Sequence, residues 1–144
     1  MKKISSIILA SLVLVGCNQA IVSNVPHAEG KVILEDNEYR MELGEYEWDE
    51  EKVEAKRVDE VSVEEIAEKF DTLDVMKDST VKIDVGENPS TISVNQWNVD
   101  KSVENVEVTN SEITLPSTAG YYIYEIIAEW DQGRITYVFD VNVL

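Results

Sequence analysis

Residues 120–143 read GYYIYEIIAEWDQGRITYVFDVNV, and this stretch decides the fold. Apolar side chains occupy alternate positions in both of its halves, the period of a strand with one buried face. They are Tyr122, Tyr124, Ile126, Ala128 and Trp130, then Ile135, Tyr137, Phe139, Val141 and Val143. The intervening Asp131-Gln132-Gly133 predicts a short loop in which Gly133 takes a positive φ. We therefore expect an antiparallel hairpin that carries the core.

The rest of the chain from Lys31 onward has mainly the same period of two. Tyr121, Ile123 and Ile127 add an apolar second face to the first hairpin strand, which is expected to be central and covered on both sides. Further strands are predicted at 32–34, 39–43 (ended by Gly44), 46–48, 80–85, 91–99, 103–109 and 113–115. Because no strand–helix–strand alternation occurs, a parallel sheet is not expected. The fold class is mainly β, an antiparallel two-sheet sandwich.

Two segments interrupt this pattern. Ser62 and Glu65 have the spacing of a capping box, and the apolar stripe of Ile66, Ala67 and Phe70 follows, which predicts one short helix. Trp97 is out of phase with the apolar positions before it in its strand. That change of phase indicates either a bulge or a strand buried on two faces.

The N-terminus has the order of an export signal. Two lysines precede a twelve-residue apolar run, Ile4 to Val15, which is too short to cross a bilayer as a helix. The run ends in Leu14-Val15-Gly16-Cys17, which resembles the lipobox of bacterial lipoproteins. The resemblance implies cleavage before Cys17 and a lipid-modified Cys17, with acyl chains such as palmitate, that anchors the protein to the cell membrane on its extracytoplasmic side.

The predicted domain organisation follows from this leader. Residues 1–16 are a signal peptide, residues 17–30 are the lipidated cysteine with a flexible tether, and residues 31–144 are the sandwich domain. His27 is the single histidine of the chain, and in a tether it is expected to be solvated. Cys17 is the single cysteine, so no disulfide within the chain is possible.

A second resemblance concerns the domain itself. Pro116-Ser-Thr-Ala-Gly120-Tyr-Tyr122 is similar to the Pro-x-x-x-Gly-x-Tyr segment that opens a late strand in bacterial immunoglobulin-like domains. From about Ser62 to the end, the chain resembles small Firmicutes lipoproteins and extracytoplasmic modules of unassigned function. The resemblance implies an immunoglobulin-like sandwich outside the membrane, with a corner hydrogen bond from Tyr122. It implies no catalytic residue.

Charge excludes one class of partner. The chain has 12 Lys+Arg and 29 Asp+Glu, a net charge of −17. Loss of Lys2 and Lys3 with the leader gives 10 − 29 = −19. Because nucleic-acid affinity rests on basic side chains that neutralise phosphates, we expect no nucleic-acid partner.

Candidate binding residues come from two patterns. Trp48 and Trp97 are candidates for ligand contact, although large aromatic side chains also fill sandwich cores. Glu45, Glu47, Asp49 and Glu51 form an acidic row that is a weak alternative for a metal such as Ca²⁺. Same-face neighbours on a strand stand about 6.6 Å apart, so a flat row does not converge the six to eight oxygens that calcium takes. A solvated strand edge explains the row equally well.

No motif for catalysis, phosphate binding or a cofactor is found in the sequence. We therefore expect a non-catalytic, lipid-anchored binding or accessory module of the cell envelope, without a cofactor. Its partners would be the membrane, through Cys17, and an envelope protein or cell-wall component. The alternatives are a cation-responsive acidic sensor or buffer and, further off, a small hydrolase.

Overall fold

The computed structural model describes residues 27, 29–50, 53–57 and 62–144, with side chains except at 50 and 53–57. The leader, Cys17 and most of the tether lie outside these residues, so the predictions for them stay predictions. Eleven strands and one helix follow in chain order. They are β1 Lys31–Leu34, β2 Asn37–Arg40, β3 Glu42–Glu50, β4 Val53–Arg57, α1 Val63–Ala67, β5 Leu73–Val75, β6 Thr80–Asp84, β7 Thr91–Trp97, β8 Val103–Val106, β9 Glu112–Thr114, β10 Gly120–Trp130 and β11 Gly133–Val143.

The strands form two sheets, as the period of two predicts. The smaller has four strands in the order β2-β1-β6-β9. The larger has seven, in the order β4-β3-β11-β10-β7-β8, with β5 paired to the end of β11. All pairs are antiparallel except β5 with β11, a parallel pair that the sequence analysis did not foresee. The mainly-β sandwich with one short helix is confirmed.

The hairpin of β10 and β11 is the centre of the fold. Its register runs without a break from Gly120 opposite Val143 to Trp130 opposite Gly133. Tyr124 and Phe139 are fully buried, and their rings stack with centroids 5.0 Å apart. Phe70 meets Phe139 edge-on at 6.2 Å. The alternating face thus forms the core between the sheets, although Trp130 is only partly buried.

Gly133 has a different role from the predicted one. Its φ is not positive, and the loop consists of two residues, Asp131 and Gln132. A Cβ at Gly133 would lie 2.1 Å from the carbonyl oxygen of Glu47 and 2.9 Å from the Cα of Trp48. Glycine is therefore required by the close approach of β3, which the local sequence does not reveal.

The predicted strand over 39–43, with its break at Gly44, is also wrong. The chain leaves the smaller sheet after Arg40, and β3 begins at Glu42 in the larger sheet. Gly44 lies inside β3, where the register against β11 shifts between Ile135 and Tyr137. A Cβ there would be 3.2 Å from the carbonyl oxygen of Thr136. Gly44 marks a β-bulge and not an end.

The phase change at Trp97 reflects two buried faces. β7 pairs with β10 in one unbroken register from Thr91 to Trp97, so no bulge is present there. Val94 points into the main core, whereas Trp97 packs on the opposite face of the sheet. That face is covered by α1.

The helix α1 begins as predicted. The Ser62 Oγ accepts a hydrogen bond from the Glu65 backbone N–H at 3.2 Å. Ile66 and Ala67 are buried and form a second, smaller apolar cluster with β10 and β11 side chains. The helix is thus held by one apolar face, because five residues are too few to be stable alone.

Candidate functional site

The two ends of the larger sheet differ in chemistry. We call the end at the Asp131-Gln132 loop the tip end, and the end where β10 begins and β11 stops the far end. β10 has eleven residues, so at about 3.3 Å per residue the two ends lie roughly 33 Å apart.

An aromatic cluster occupies the tip end. The His27 ring stacks on Trp130 with centroids 4.6 Å apart and planes 10° apart, and it lies 5.8 Å from Trp48. Trp130 and Trp48 meet edge-on at 5.6 Å. The Trp130 Nε1–H donates to the carbonyl oxygen of Glu87 at 2.7 Å. The Tyr137 hydroxyl donates to the carbonyl oxygen of His27.

The expectation that His27 is solvated is therefore wrong. His27 is half-buried, and a Cβ on Gly86 would lie 2.7 Å from its Nδ1. Gly30 is buried, and its carbonyl oxygen accepts from the Met41 N–H at 2.8 Å. The last residues assigned to the tether are thus packed on the domain. Residue-by-residue interpretation missed this because the partners of His27 come from distant strands.

An open cavity of about 510 Å³ lies beside this cluster. Four carboxylates line it, together with one guanidinium and the Trp130 side chain. The charged lining residues are Glu47, Asp49, Glu129, Asp131 and Arg134. The excess of carboxylates makes the cavity attractive to cations.

The candidate metal residues are only partly brought together. Glu47 and Asp49 line the cavity, whereas Glu45 is partly buried elsewhere on β3 and Glu51 lies outside the described residues. Within the described part of the chain, no three His, Cys, Asp or Glu side chains converge on a point that could hold a metal ion.

The two candidate tryptophans lie in different surroundings. Trp48 is 3% exposed and belongs to the main core, so its ring offers no open face to a ligand. Trp97 is partly buried beside α1, and its Nε1 is buried without a hydrogen-bond partner among the described residues. Of the two, only Trp97 remains a candidate for ligand contact.

Five large apolar side chains are exposed in the described part of the chain, and all five lie at the far end. They are Met76, Val99, Val103, Tyr121 and Leu144. The Leu144 N–H donates to the carbonyl oxygen of Val75, which places Met76 and Leu144 side by side. A Cβ on Gly120 would lie 3.3 Å from Val99. Val103 pairs with Trp97. We call these five residues the far-end apolar group.

A buried carboxyl lies under this end. Asp140 is 2% exposed, and its Oδ2 accepts a hydrogen bond from the Tyr121 hydroxyl. Its Oδ1 is buried with no hydrogen-bond partner in the described structure. Burial raises the pKa of Asp140, and hydrogen bonding by Tyr121 and Thr72 opposes this shift. Burial, and then Asp140, raise the pKa of Tyr121.

Asp140 and Trp97 lie in one row across the sheet, since Ile123 pairs with both. The far end therefore carries two buried polar atoms without partners, each of which costs stability. The sequence analysis missed Asp140, because alternation places it on the face opposite Phe139 and nothing local shows that this face is covered. A polar residue among buried ones is the signal that could have found it.

The corner hydrogen bond implied by the resemblance is present. The Tyr122 hydroxyl donates to the carbonyl oxygen of Thr118 at 2.9 Å. It fixes the turn that leads into β10 at the far end.

Comparison of the chain with protein-family models, with curated proteins and with solved structures finds no match in any of the three. Among the residues that the structure describes, no helix has the length and apolar character needed to cross a membrane. The candidate functional surface is therefore defined by geometry alone.

Proposed function

We propose that this protein is a lipid-anchored, non-catalytic binding module of the cell envelope, facing the extracytoplasmic side, and that its far end binds an envelope protein. The observation that carries the proposal is the position of the far-end apolar group. Single exposed apolar side chains are ordinary, but an exposed group gathered at one end is typical of an interaction surface.

The energetics support this use. Removing apolar surface from water contributes about 25 cal/mol per Å², so covering side chains such as Met76 and Val99, 68% and 70% exposed, would stabilise a complex. The free domain gains nothing from leaving them exposed. Trp97, next to Val103, adds the kind of large aromatic side chain that often dominates binding energy.

The anchor is proposed from the sequence. The apolar run of residues 4–15 and the lipobox ending at Cys17 support it. Two acyl chains would hold the protein stably on the membrane, whereas one chain binds only marginally. Fractionation tests this part: Cys17→Ser should move the protein from the membrane fraction to the soluble fraction and remove its lipid-dependent gel mobility.

Site-specific photo-crosslinking in intact cells tests the binding part. A photoreactive amino acid at Val99 should give one discrete crosslinked protein, and the same group at Gln132, exposed at the tip end, should not. Val103→Glu should abolish the Val99 crosslink without changing the amount of anchored protein. Equal crosslinking from both positions, or none from Val99, would contradict binding at the far end.

The second candidate function is response to a cation at the tip end. The carboxylate-rich lining of the 510 Å³ cavity, including Glu47 and Asp49, favours it. A diffuse site of this kind would bind cations weakly, because its oxygens do not converge as a calcium site requires. A calcium-dependent melt, described in the Discussion, separates this function from the first.

A further inference from the structure

We infer that the anchored domain stands with its tip end toward the membrane and presents the far-end apolar group outward, to a protein with an apolar contact surface and not to the bilayer. The inference rests on the proposed lipid anchor at Cys17. It goes further by assigning which end of the domain faces the membrane and which kind of partner can reach the far end.

The first step is where the chain enters the domain. His27 is fastened at the tip end by two contacts: its ring stacks on Trp130, and its carbonyl oxygen accepts from the Tyr137 hydroxyl. Gly86 leaves the space that its ring needs, since any Cβ there would meet the imidazole. The path from Cys17 therefore reaches the domain at the tip end.

The second step is the length of that path. His27 follows Cys17 by ten residues, which span at most about 33–36 Å when fully extended. As a flexible coil, ten residues have an end-to-end distance of about 17 Å, from 5–6 Å times the square root of the length. For the far end to touch the membrane, these residues would have to cover roughly 33 Å along the sheet. Such full extension is entropically unfavourable.

The third step concerns charge. The charged residues next to the far-end apolar group are Lys77, Asp100, Lys101 and Glu104. They sum to zero, whereas elements that lie on membranes by an apolar face usually carry an excess of Lys and Arg. At the tip end, the carboxylates would be repelled by anionic headgroups only within about 8 Å at physiological salt. A relaxed tether of about 17 Å keeps them beyond that distance.

Energy transfer to the membrane tests this orientation. Because Cys17 is the only cysteine and is acylated in the anchored protein, an introduced cysteine is the single free thiol. Gln132→Cys reports on the tip end. Ser117→Cys, three residues before β10 and exposed, reports on the far end. Each lipidated variant is labelled with one donor dye and placed in phosphatidylcholine–phosphatidylglycerol vesicles that carry a headgroup acceptor dye.

We expect clearly more energy transfer from position 132 than from position 117. His27→Ala should reduce the difference, because the entry point would no longer be fixed, while vesicle binding stays unchanged. Equal transfer from the two positions, or more from 117, would overturn the orientation and assign the far-end apolar group to the bilayer.

The controls separate this inference from the proposed function. Cys17→Ser protein should not float with the vesicles. If the wild-type protein, prepared from membranes, also fails to float, the lipid anchor is wrong and the orientation falls with it. If the protein floats but the transfer order is reversed, the anchor stands and only the orientation is wrong.

Discussion

Replacement of Phe139 by alanine tests whether the hairpin carries the core. Phe139 is fully buried, and its ring contacts Tyr124 and Phe70. A buried Phe→Ala change costs about 3–5 kcal/mol. Each aromatic pair contributes about 0.5–1.5 kcal/mol beyond area burial, and Phe139 has two, so we expect a loss in the upper part of that range, about 4–5 kcal/mol.

Urea unfolding is the assay, followed by tryptophan fluorescence and by circular dichroism. Phe139→Leu keeps most of the apolar volume and should lose mainly the two ring contacts, about 1–3 kcal/mol. This milder variant remains measurable if Phe139→Ala does not fold. Val99→Ala is the control, since a side chain 70% exposed should change the free energy of unfolding by no more than about 0.5 kcal/mol. A loss below about 1 kcal/mol for Phe139→Ala would refute the assignment of the strand faces.

Three further predictions concern other parts of the fold. Burial raises the pKa of Asp140 from its ordinary 3.8, so its favourable contribution is present below that pH and is lost as the pH rises through the folded-state value. Asp140→Asn should therefore flatten the pH dependence of unfolding from about pH 4 upward, and parallel profiles for the two proteins would contradict this. Gly133→Ala should cost at least about 1–3 kcal/mol in urea melts, because the new Cβ would meet β3 backbone; an unchanged midpoint would show that the two strands separate easily. Millimolar calcium, compared with chelator at matched ionic strength, should stabilise the protein by much less than about 2.7 kcal/mol, the value for a site at 100 times its dissociation constant; a calcium-specific rise in Tm of about ten degrees, lost in a Glu47→Gln/Asp49→Asn variant, would instead favour the cation-responsive function.

The candidate surface could be predicted from the sequence only in part. Trp97 was identified by its phase, and the structure places it next to Val103 at the far end. Exposed Val99 and Leu144 give no signal in the sequence, because an apolar residue at the end of a strand pattern reads as a continuation of the core. Their exposure depends on where the neighbouring strands stop, which no local pattern records.

Local physics determined the elements that repeat or cap. The period of two specified the faces of β10 and β11, since successive side chains of a strand must point to opposite sides. The Ser62–Glu65 spacing specified the start of α1, because a cap is completed within one turn. The lipobox at Cys17 is likewise a local pattern, and the anchor predicted from it needs no tertiary contact.

Only the tertiary structure decided which segments meet. The close approach of β3 requires Gly133, the stacking of His27 on Trp130 brings the incoming chain to the tip end, and the cover over Asp140 leaves a carboxyl oxygen without a partner. Each of these depends on residues far apart in the chain that are brought together by sheet pairing and by packing. Such contacts form only when the whole sandwich closes, so no window of sequence contains them.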